Sequence, residues 1–548
     1  MLTPDQLAHC SDSIVDLYSQ LNEAIIRDVA RRIAKTSIIT ETGKLQLNAL
    51  QSSGVLHADL LSSISKYNNM GESELLKIFA SASATAVEYD SRIYSNNGLN
   101  PLPLNLSPTA MQILEAGYKK TQGNITNLTM TTAVSTQTKF IQVCTLAEMK
   151  AESGAFSAEQ AIFDAVKTLA TEGATVVYPS GHQDKIDVAV RRNVMTGIGQ
   201  TTGEICLSYA EELGCDLMEI TAHIGARPSH AAWQGQIVSL SGKPGYLSKE
   251  AIGYGTGAGF KGWNCRHDWY PYFEGSQRMY SQADLDALEE KNIEFPDGSM
   301  HTYYEAEQYQ RGLERKIRAT KRVLVAKDEL LKNCSDNLNH SDLQSRFDKY
   351  SVKLKSQEAQ LRAFCEKTGV RSDSSRIRTI GFGKSTAQKT VGSANRHFQD
   401  YISDHNIRDI KTLADYYNVK YNDIERFELL RKYSRSINDG MLSPLVGFTK
   451  YEAYYYRVQN ELIGQTTGAG VTIRSQSDHF LERVFGTKAD PKHDNRPRSG
   501  VKLEDIKDAL LTDVSPRYSE KNDSYVYSNE RCLVSLNREG KLIQTNPK

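Results

Sequence analysis

The chain has 548 residues, with 66 basic against 66 acidic side chains and no net charge. Its length excludes a single core, because hydrophobic cores stop growing near ~250–300 residues and longer chains divide into domains. The charge balance excludes a polyanion binder or an acidic solvating chain as a whole, so any nucleic-acid contact has to be local.

The opening, "MLTPDQLAHCSDSIVDLYSQL", has no basic stretch followed by an apolar one, and no run of 18 uncharged apolar residues occurs anywhere. This predicts a protein made in a cytoplasm with no membrane partner. The eight cysteines, Cys10, Cys144, Cys206, Cys215, Cys265, Cys334, Cys365 and Cys532, are scattered without a C-x-x-C pair. Reduced thiols are expected rather than a disulfide framework.

Residues 1–150 read as helical. Thr3 can cap a helix with Pro4 at its first position, and Leu7, Ile14, Leu17, Leu21, Ile25 and Val29 recur at helical spacing. A second such run covers Glu72 to Tyr94, and "SNNGLNPLPLNLSP" breaks it with turn formers. Residues 151–300 read as a mixed α/β lobe: a helix closed by Gly173, a short strand "TVVYPSG", a long helix ending at Gly214, and a strand "DLMEITAH" leading into the loop "IGARPSHAAWQGQ". Residues 301–370 are charged, with an apolar seam at Tyr309, Leu313, Ile317, Leu324 and Leu331, then at Leu343, Phe347, Tyr350, Leu354 and Leu361. The intervening "NCSDNLNHSD" supplies a turn and a cap, so an antiparallel helical hairpin arm is expected.

Residues 371–465 begin with a Ser/Thr/Gly-rich stretch carrying Arg371, Arg376, Arg378, Lys384, Lys389 and Arg396 against Asp373 alone. It reads as a solvated linker that could also touch phosphate, including that of packaged DNA. Tyrosine-rich helices follow, suited to half-buried surfaces. Residues 466–548 read as a strand and a capped short helix in "TIRSQSDHFLERVFG", a second helix in "SGVKLEDIKDALL", and a meander of short strands. The expected fold class is therefore multidomain α+β: a mainly helical N-terminal part, a mixed central lobe, a hairpin arm and a small α+β C-terminal domain.

Within the central lobe, "IGYGTGAGFKGWNCRHDWYPYFEG" (Ile252 to Gly275) admits three readings. A phosphate loop is disfavoured, because the glycines alternate without the G-x-G-x-x-G spacing and no Walker lysine follows. A metal site would use His223, His230, Cys265 and His267, the imidazole and thiol ligands zinc prefers, although neither His-x6-His nor Cys-x-His is a standard zinc spacing. The third is a structural loop whose glycines let the backbone bend while Trp263, Trp269, Tyr270, Tyr272 and Phe273 fill a core or seal a contact. No other cofactor is expected.

The stretch from "RRNVMTGIGQTTGEICLSYAEELGCDLMEITAH" to "GYGTGAGFKGWNCRHDWYPYFEG", with the opening "LTPDQLAHCSDSIVDLYSQLNEAIIRDVARRIAK", resembles the minor capsid protein 2 family of tailed phages. In its "NCRH" ending it is also akin to Mu F-type head proteins, whose loop ends in a second Cys where this chain has His267. The resemblance covers roughly residues 1–370. It implies a virion protein near the portal vertex or capsid interior, present in the host cytoplasm during assembly, with portal and major capsid proteins as partners and no catalysis in this part.

In the tail, His479 and Arg483 stand four apart in "SDHFLERVFG", on one helix face, with Ser477 or Asp478 as cap. An imidazole beside a guanidinium suits metal-independent phosphodiester cleavage. "SDHFLER", "RSGVKLEDIKDALL" and "CLVSLNREGKLIQTNPK" in that order resemble the phage-associated branch of the barnase, EndoU, colicin and RelE (BECR) nuclease superfamily. That resemblance implies His479, Arg483 and Thr545 as catalytic, with Arg498 and Ser535 in the same cleft and RNA as substrate. The segment from Thr466 on carries 14 basic and 12 acidic residues, little surplus for a ribonuclease. Two rivals stand beside this reading: a purely structural virion protein with an inactive tail, and a stand-alone toxin.

Overall fold

The computed structural model describes residues 1–36, 42–152, 158–333, 337–379, 381–490 and 496–548. They form two compact units, Met1–Thr390 and Val391–Lys548. The protein is mixed α+β and mostly helical, with its larger sheet near the C-terminus.

The first unit starts with α1 (Pro4–His9), where Thr3 accepts from the Gln6 amide and Gln6 caps it reciprocally, with Pro4 in the first turn. After a short break follow α2 (Asp12–Thr36) and α3 (Thr42–Asn96). At 55 residues α3 is on the order of 80 Å long. Gly98, at φ +79°, starts the turn that returns the chain along α3 as α4 (Pro108–Glu152). Asn68 to Thr129 and Tyr118 to Glu72 hydrogen bonds set these two helices antiparallel. Then come α5 (Ala158–Glu172), the hairpin β1 (Thr175–Val177) and β2 (Gln183–Lys185), and α6 (Ile186–Glu212). Leu7, Ile14, Leu21, Ile25 and Val29 enter the core with residues of α3 to α6, whereas Leu17 is half-buried because Tyr18 takes the inward position.

The close approach of α4 to α6 rests on a reciprocal pair of small residues. A Cβ at Gly117 would meet Thr201 Oγ1 at 1.9 Å, and one at Gly197 would meet Thr121 Oγ1 at 2.1 Å. Each helix thus offers a glycine followed four residues later by a threonine, and each threonine fills the space left by the other helix's glycine.

A three-stranded antiparallel sheet follows, with β3 (Leu217–Ile220) between β4 (Ile237–Ser239) and β5 (Trp269–Tyr272). The loop after β3 contains the short helix α7 (Pro228–Ala231). Met218, Ile220, Trp233, Val238, Phe260 and Trp269 make its core with Ile205 and Tyr209 of α6. Next are α8 (Gln282–Leu288), the hairpin β6 (Ile293–Glu294) and β7 (Met300–His301), then α9 (Tyr303–Asn333) and α10 (Asn337–Thr368).

Bonds from Thr320 to Gln357 and from Gln360 to Tyr309 make α9 and α10 an antiparallel pair. Leu313, Ile317, Leu324, Phe347, Leu354 and Leu361 line their seam. Val323, Ala326 and Leu330 on the other side of α9 enter the N-terminal core, so this hairpin is built into the first unit rather than standing out as an arm. The stretch expected as a linker is also tied down. Arg378 pairs with Asp16 at 3.1 Å, Lys389 with Asp328 at 2.6 Å, and α11 (Lys384–Asp404) is already helical from Lys384. Three of its basic charges, on Arg376, Arg378 and Lys389, are matched by the carboxylates of Asp373, Asp16 and Asp328.

In the second unit, α12 (Leu413–Asn422), α13 (Ile424–Asn438) and α14 (Phe448–Glu461) bury Tyr433, Tyr451 and Phe448 among themselves. The rest is a five-stranded sheet with two helices on one face. Its order is β11 (Arg517–Ser519), β12 (Ser524–Ser528), β13 (Cys532–Asn537), β14 (Lys541–Pro547) and β8 (Ser475–Gln476), antiparallel except for the β14–β8 pair. Phe480 and Val484 of α15 (Asp478–Phe485) and Ile506 and Leu510 of α16 (Leu503–Thr512) cover Tyr527, Val534, Leu536 and Leu542. A small hairpin, β9 (Thr487–Asp490) with β10 (Arg496–Arg498), stands apart from this sheet.

Candidate functional site

Two clusters hold the chemistry-bearing residues. The first is in the glycine-aromatic loop between β4 and β5. Gly253 and Gly255 take left-handed backbone, at φ +65° and +85°. Gly259 and Gly262 are glycine for another reason. A Cβ at Gly259 would come 2.2 Å from the Gly253 carbonyl oxygen, and one at Gly262 would come 2.4 Å from that of Gly257. The loop is folded backbone on backbone. Lys261 and Asn264 also take positive φ, 58° and 54°, at a cost of about 1–3 kcal/mol each. Of the five rings, Trp269 and Tyr270 are buried, Tyr272 and Phe273 half-buried, and Trp263 is 59% exposed.

This folding brings Cys265 and His267 against His230 of α7. Among the described residues, His230, Cys265 and His267 are the group whose His, Cys or carboxylate ligand atoms lie within 4.8 Å of one another, and all three are buried. His230 Nδ1 is 3.4 Å from His267 Nδ1, and Cys265 Sγ is 3.9 Å and 3.6 Å from those two nitrogens. The far nitrogens are held as well. His230 Nε2 is 2.9 Å from the Ala258 carbonyl oxygen, and His267 Nε2 is 3.3 Å from Gln234 Oε1. Burial pushes His230 down to about 4 and His267 well below the ordinary histidine range, the latter with help from His223, His230 and nearby arginines. His223 stands outside the cluster: its ring stacks on His267 at 4.5 Å and its Nδ1 is 2.9 Å from the Ile224 carbonyl.

The second cluster is on α15. Ser477 caps it, accepting from the Phe480 amide, and its hydroxyl donates to the Ile543 carbonyl at 2.8 Å, which docks the helix start on β14. Arg483 Nε donates to His479 Nε2 at 3.3 Å, and His479 Nδ1 is 3.4 Å from Glu482 Oε2. The other Glu482 oxygen accepts from the Ser436 hydroxyl at 2.5 Å. Burial alone would raise the Glu482 carboxyl, but the bonds from His479 and Ser436 outweigh it and hold the group below the ordinary range. A carboxylate that accepts from Nδ1 leaves Nε2 as the basic nitrogen.

His479 and Arg483 are thus in contact, and Thr545 lies on the strand their helix covers. Its hydroxyl is fully buried and donates to the Leu533 carbonyl at 3.1 Å, inside the sheet. Ser535 follows core-facing Val534, so it points to the opposite face from Thr545, which is registered against Val534. The side chain of Arg498 lies outside the described residues. Sequence reading passed over Glu482, although its place three residues after His479 on one helix face could have flagged it. It also passed over Ser436, Gln234 and the Ala258 carbonyl, which no spacing connects to their partners.

Residues 2–366 match the family model described as phage minor capsid protein 2. A structural protein of Lactococcus phage LL-H is 25% identical over an alignment of 226 residues that covers 38% of this chain. The match spans 59% of that relative's length. No solved structure matches the chain. Since the family model takes in about two thirds of its length, the chain belongs to the phage minor capsid protein 2 family.

Proposed function

We propose that the protein docks near the portal vertex during head assembly, against portal and major capsid proteins, and that residues 466–548, within its second unit, are a metal-independent ribonuclease. Family membership supports the first half: residues 2–366 cover nearly the whole first unit. The expected readout is the intact chain in purified particles, cross-linked to portal protein. Finding it only in the soluble lysate, with no such cross-link, overturns this half.

One observation carries the second half: His479 has Glu482 on Nδ1 and Arg483 on Nε2. In this reading Nε2 takes the proton of a ribose 2′-hydroxyl, the 2′-oxygen attacks phosphorus, and the 5′-oxygen leaves with a proton from water. The products are a 2′,3′-cyclic phosphate and a 5′-hydroxyl. Arg483 moves from the imidazole to the phosphorane, where its charge stabilises the developing negative charge. Thr545 reaches phosphate only by exchanging its bond to Leu533. Full-length protein incubated with RNA in EDTA should yield cyclic-phosphate ends, lost in His479→Ala. Cleavage by neither protein leaves a structural virion protein with an inactive tail, and equal cleavage by both overturns the role of His479.

A further inference from the structure

The His230, Cys265 and His267 arrangement turns three buried ligand atoms toward one another, with an acceptor behind each imidazole. The Ala258 carbonyl only accepts, so His230 Nε2 carries the ring proton and Nδ1 presents a lone pair. Gln234 Oε1 also accepts from the His223 amide while the Gln234 amide nitrogen donates to Glu289, which fixes the orientation of that side chain. His267 Nε2 is therefore the second protonated nitrogen, and its Nδ1 presents a lone pair too. The two Nδ1 atoms face each other at 3.4 Å, and the thiol sulfur, 3.9 Å and 3.6 Å from them, completes a triangle of three metal-ligand atoms.

We propose that His230 Nδ1, His267 Nδ1 and Cys265 Sγ bind one zinc ion in tetrahedral geometry, with water at the fourth vertex, fastening the α7 loop to the glycine-rich loop. Zinc–nitrogen bonds of about 2.0 Å and zinc–sulfur bonds of about 2.3 Å give tetrahedral edges of roughly 3.3 Å between nitrogens and roughly 3.5 Å from sulfur to nitrogen. The observed separations, 3.4, 3.6 and 3.9 Å, are close to that shape. Two imidazoles with a thiolate select zinc over magnesium or calcium, which take oxygen ligands. On binding, the Cys265 thiol releases its proton to solvent.

Each imidazole has an acceptor behind it, as zinc histidines generally do. The acceptor behind His230 is Ala258, between Gly257 and Gly259, so the tight backbone contacts of that loop orient a ligand. His223 covers the ring of His267 and is not a ligand.

The test is metal analysis of the full chain purified without chelator, with cobalt(II) exchanged into the site. Wild type is expected to carry about one zinc per chain. Its cobalt form should show tetrahedral d–d bands and a thiolate-to-cobalt charge-transfer band. Cys265→Ser should lose the charge-transfer band, and His267→Ala should lose the metal. His223→Ala should keep both, and circular dichroism of every variant separates lost metal from lost fold. Less than about half an equivalent in wild type, with no cobalt band on reconstitution, overturns the proposal. So does metal that survives in folded Cys265→Ser with an unchanged spectrum, or that departs in folded His223→Ala.

Discussion

Lys261 Nζ lies 2.5 Å from Asp268 Oδ1, and the two side chains are only 2% and 0% exposed. Asp268 is otherwise satisfied by backbone: its carboxylate accepts from the amides of Leu2 at 2.7 Å and Trp269 at 2.8 Å. Removing one charge of such a pair strands the other in a low-dielectric interior. Lys261→Met is expected to cost about 3–5 kcal/mol, and the double variant Lys261→Met/Asp268→Asn should recover part of it. Urea unfolding midpoints measure both. Recovery should be incomplete, because an asparagine offers one acceptor oxygen where the Asp268 carboxylate takes the Leu2 and Trp269 amides on its two.

The same pair sets an acid limit. Burial alone would raise the Asp268 carboxyl, but Lys261, the ammonium of Met1 and the amide of Leu2 hold it below its ordinary value. A depressed carboxyl contributes stability that is present above the unfolded pKa, about 3.9, and is lost as pH falls through the folded value. Stability measured between pH 5 and pH 2 should therefore fall less steeply in Asp268→Asn than in wild type.

The α4–α6 crossing predicts a specific rescue. In Gly117→Ala the new methyl meets Thr201 Oγ1 at 1.9 Å and its Cβ at 3.0 Å. Overpacking of this kind costs about 1–3 kcal/mol, against roughly 1 kcal/mol gained in helix propensity. Gly117→Ala is expected to destabilise, and adding Thr201→Ala, which removes the clashing hydroxyl, should bring the thermal midpoint back to wild type or above.

Two loop glycines should differ in kind. A Cβ at Gly259 strikes the Gly253 carbonyl, which has no rotamer to yield, whereas one at Gly255 meets nothing within 4 Å and suffers only its φ of +85°. Gly259→Ala is expected to lose more stability than Gly255→Ala, and to loosen the Ala258 carbonyl behind His230. Comparing their denaturation midpoints and their metal contents checks both effects.

In the second unit, Glu482→Gln keeps the shape of the His479 contact and removes its charge. General acid–base groups contribute about 10²–10⁴-fold, so His479→Ala should lower RNA cleavage by that order and Glu482→Gln by less. Because the Glu482 carboxyl is held below the ordinary range, it stays ionised at neutral pH, and its support for His479 is lost only as pH falls through that depressed value. The acid limb of the cleavage profile, followed with defined RNA substrates in wild type and Glu482→Gln, reads this directly.

Much of the architecture was legible in local pattern. The Thr3–Pro4 cap, the helix closures at Gly173 and Gly214, the α9–α10 seam and the Ser477 cap before His479 all depend on residues within a few positions of one another. The linker reading missed because Asp16 and Asp328, the partners of Arg378 and Lys389, lie far away in sequence. The hairpin was visible, but not its burial, since the second face of α9 finds its partners in α2 and α5.

What the sequence by itself determined is the order of helices and strands, the capping, and the presence of imidazole, thiol and guanidinium groups in two regions, because periodicity and turn chemistry act over short range. Only the tertiary structure decided which groups meet. It brought His230 to Cys265 and His267 while turning His223 aside to stack, matched Lys261 to Asp268, and spent the Thr545 hydroxyl on the Leu533 carbonyl. Those outcomes depend on loop closure and on where each buried polar atom finds its partner, and neither is written in the spacing of one segment.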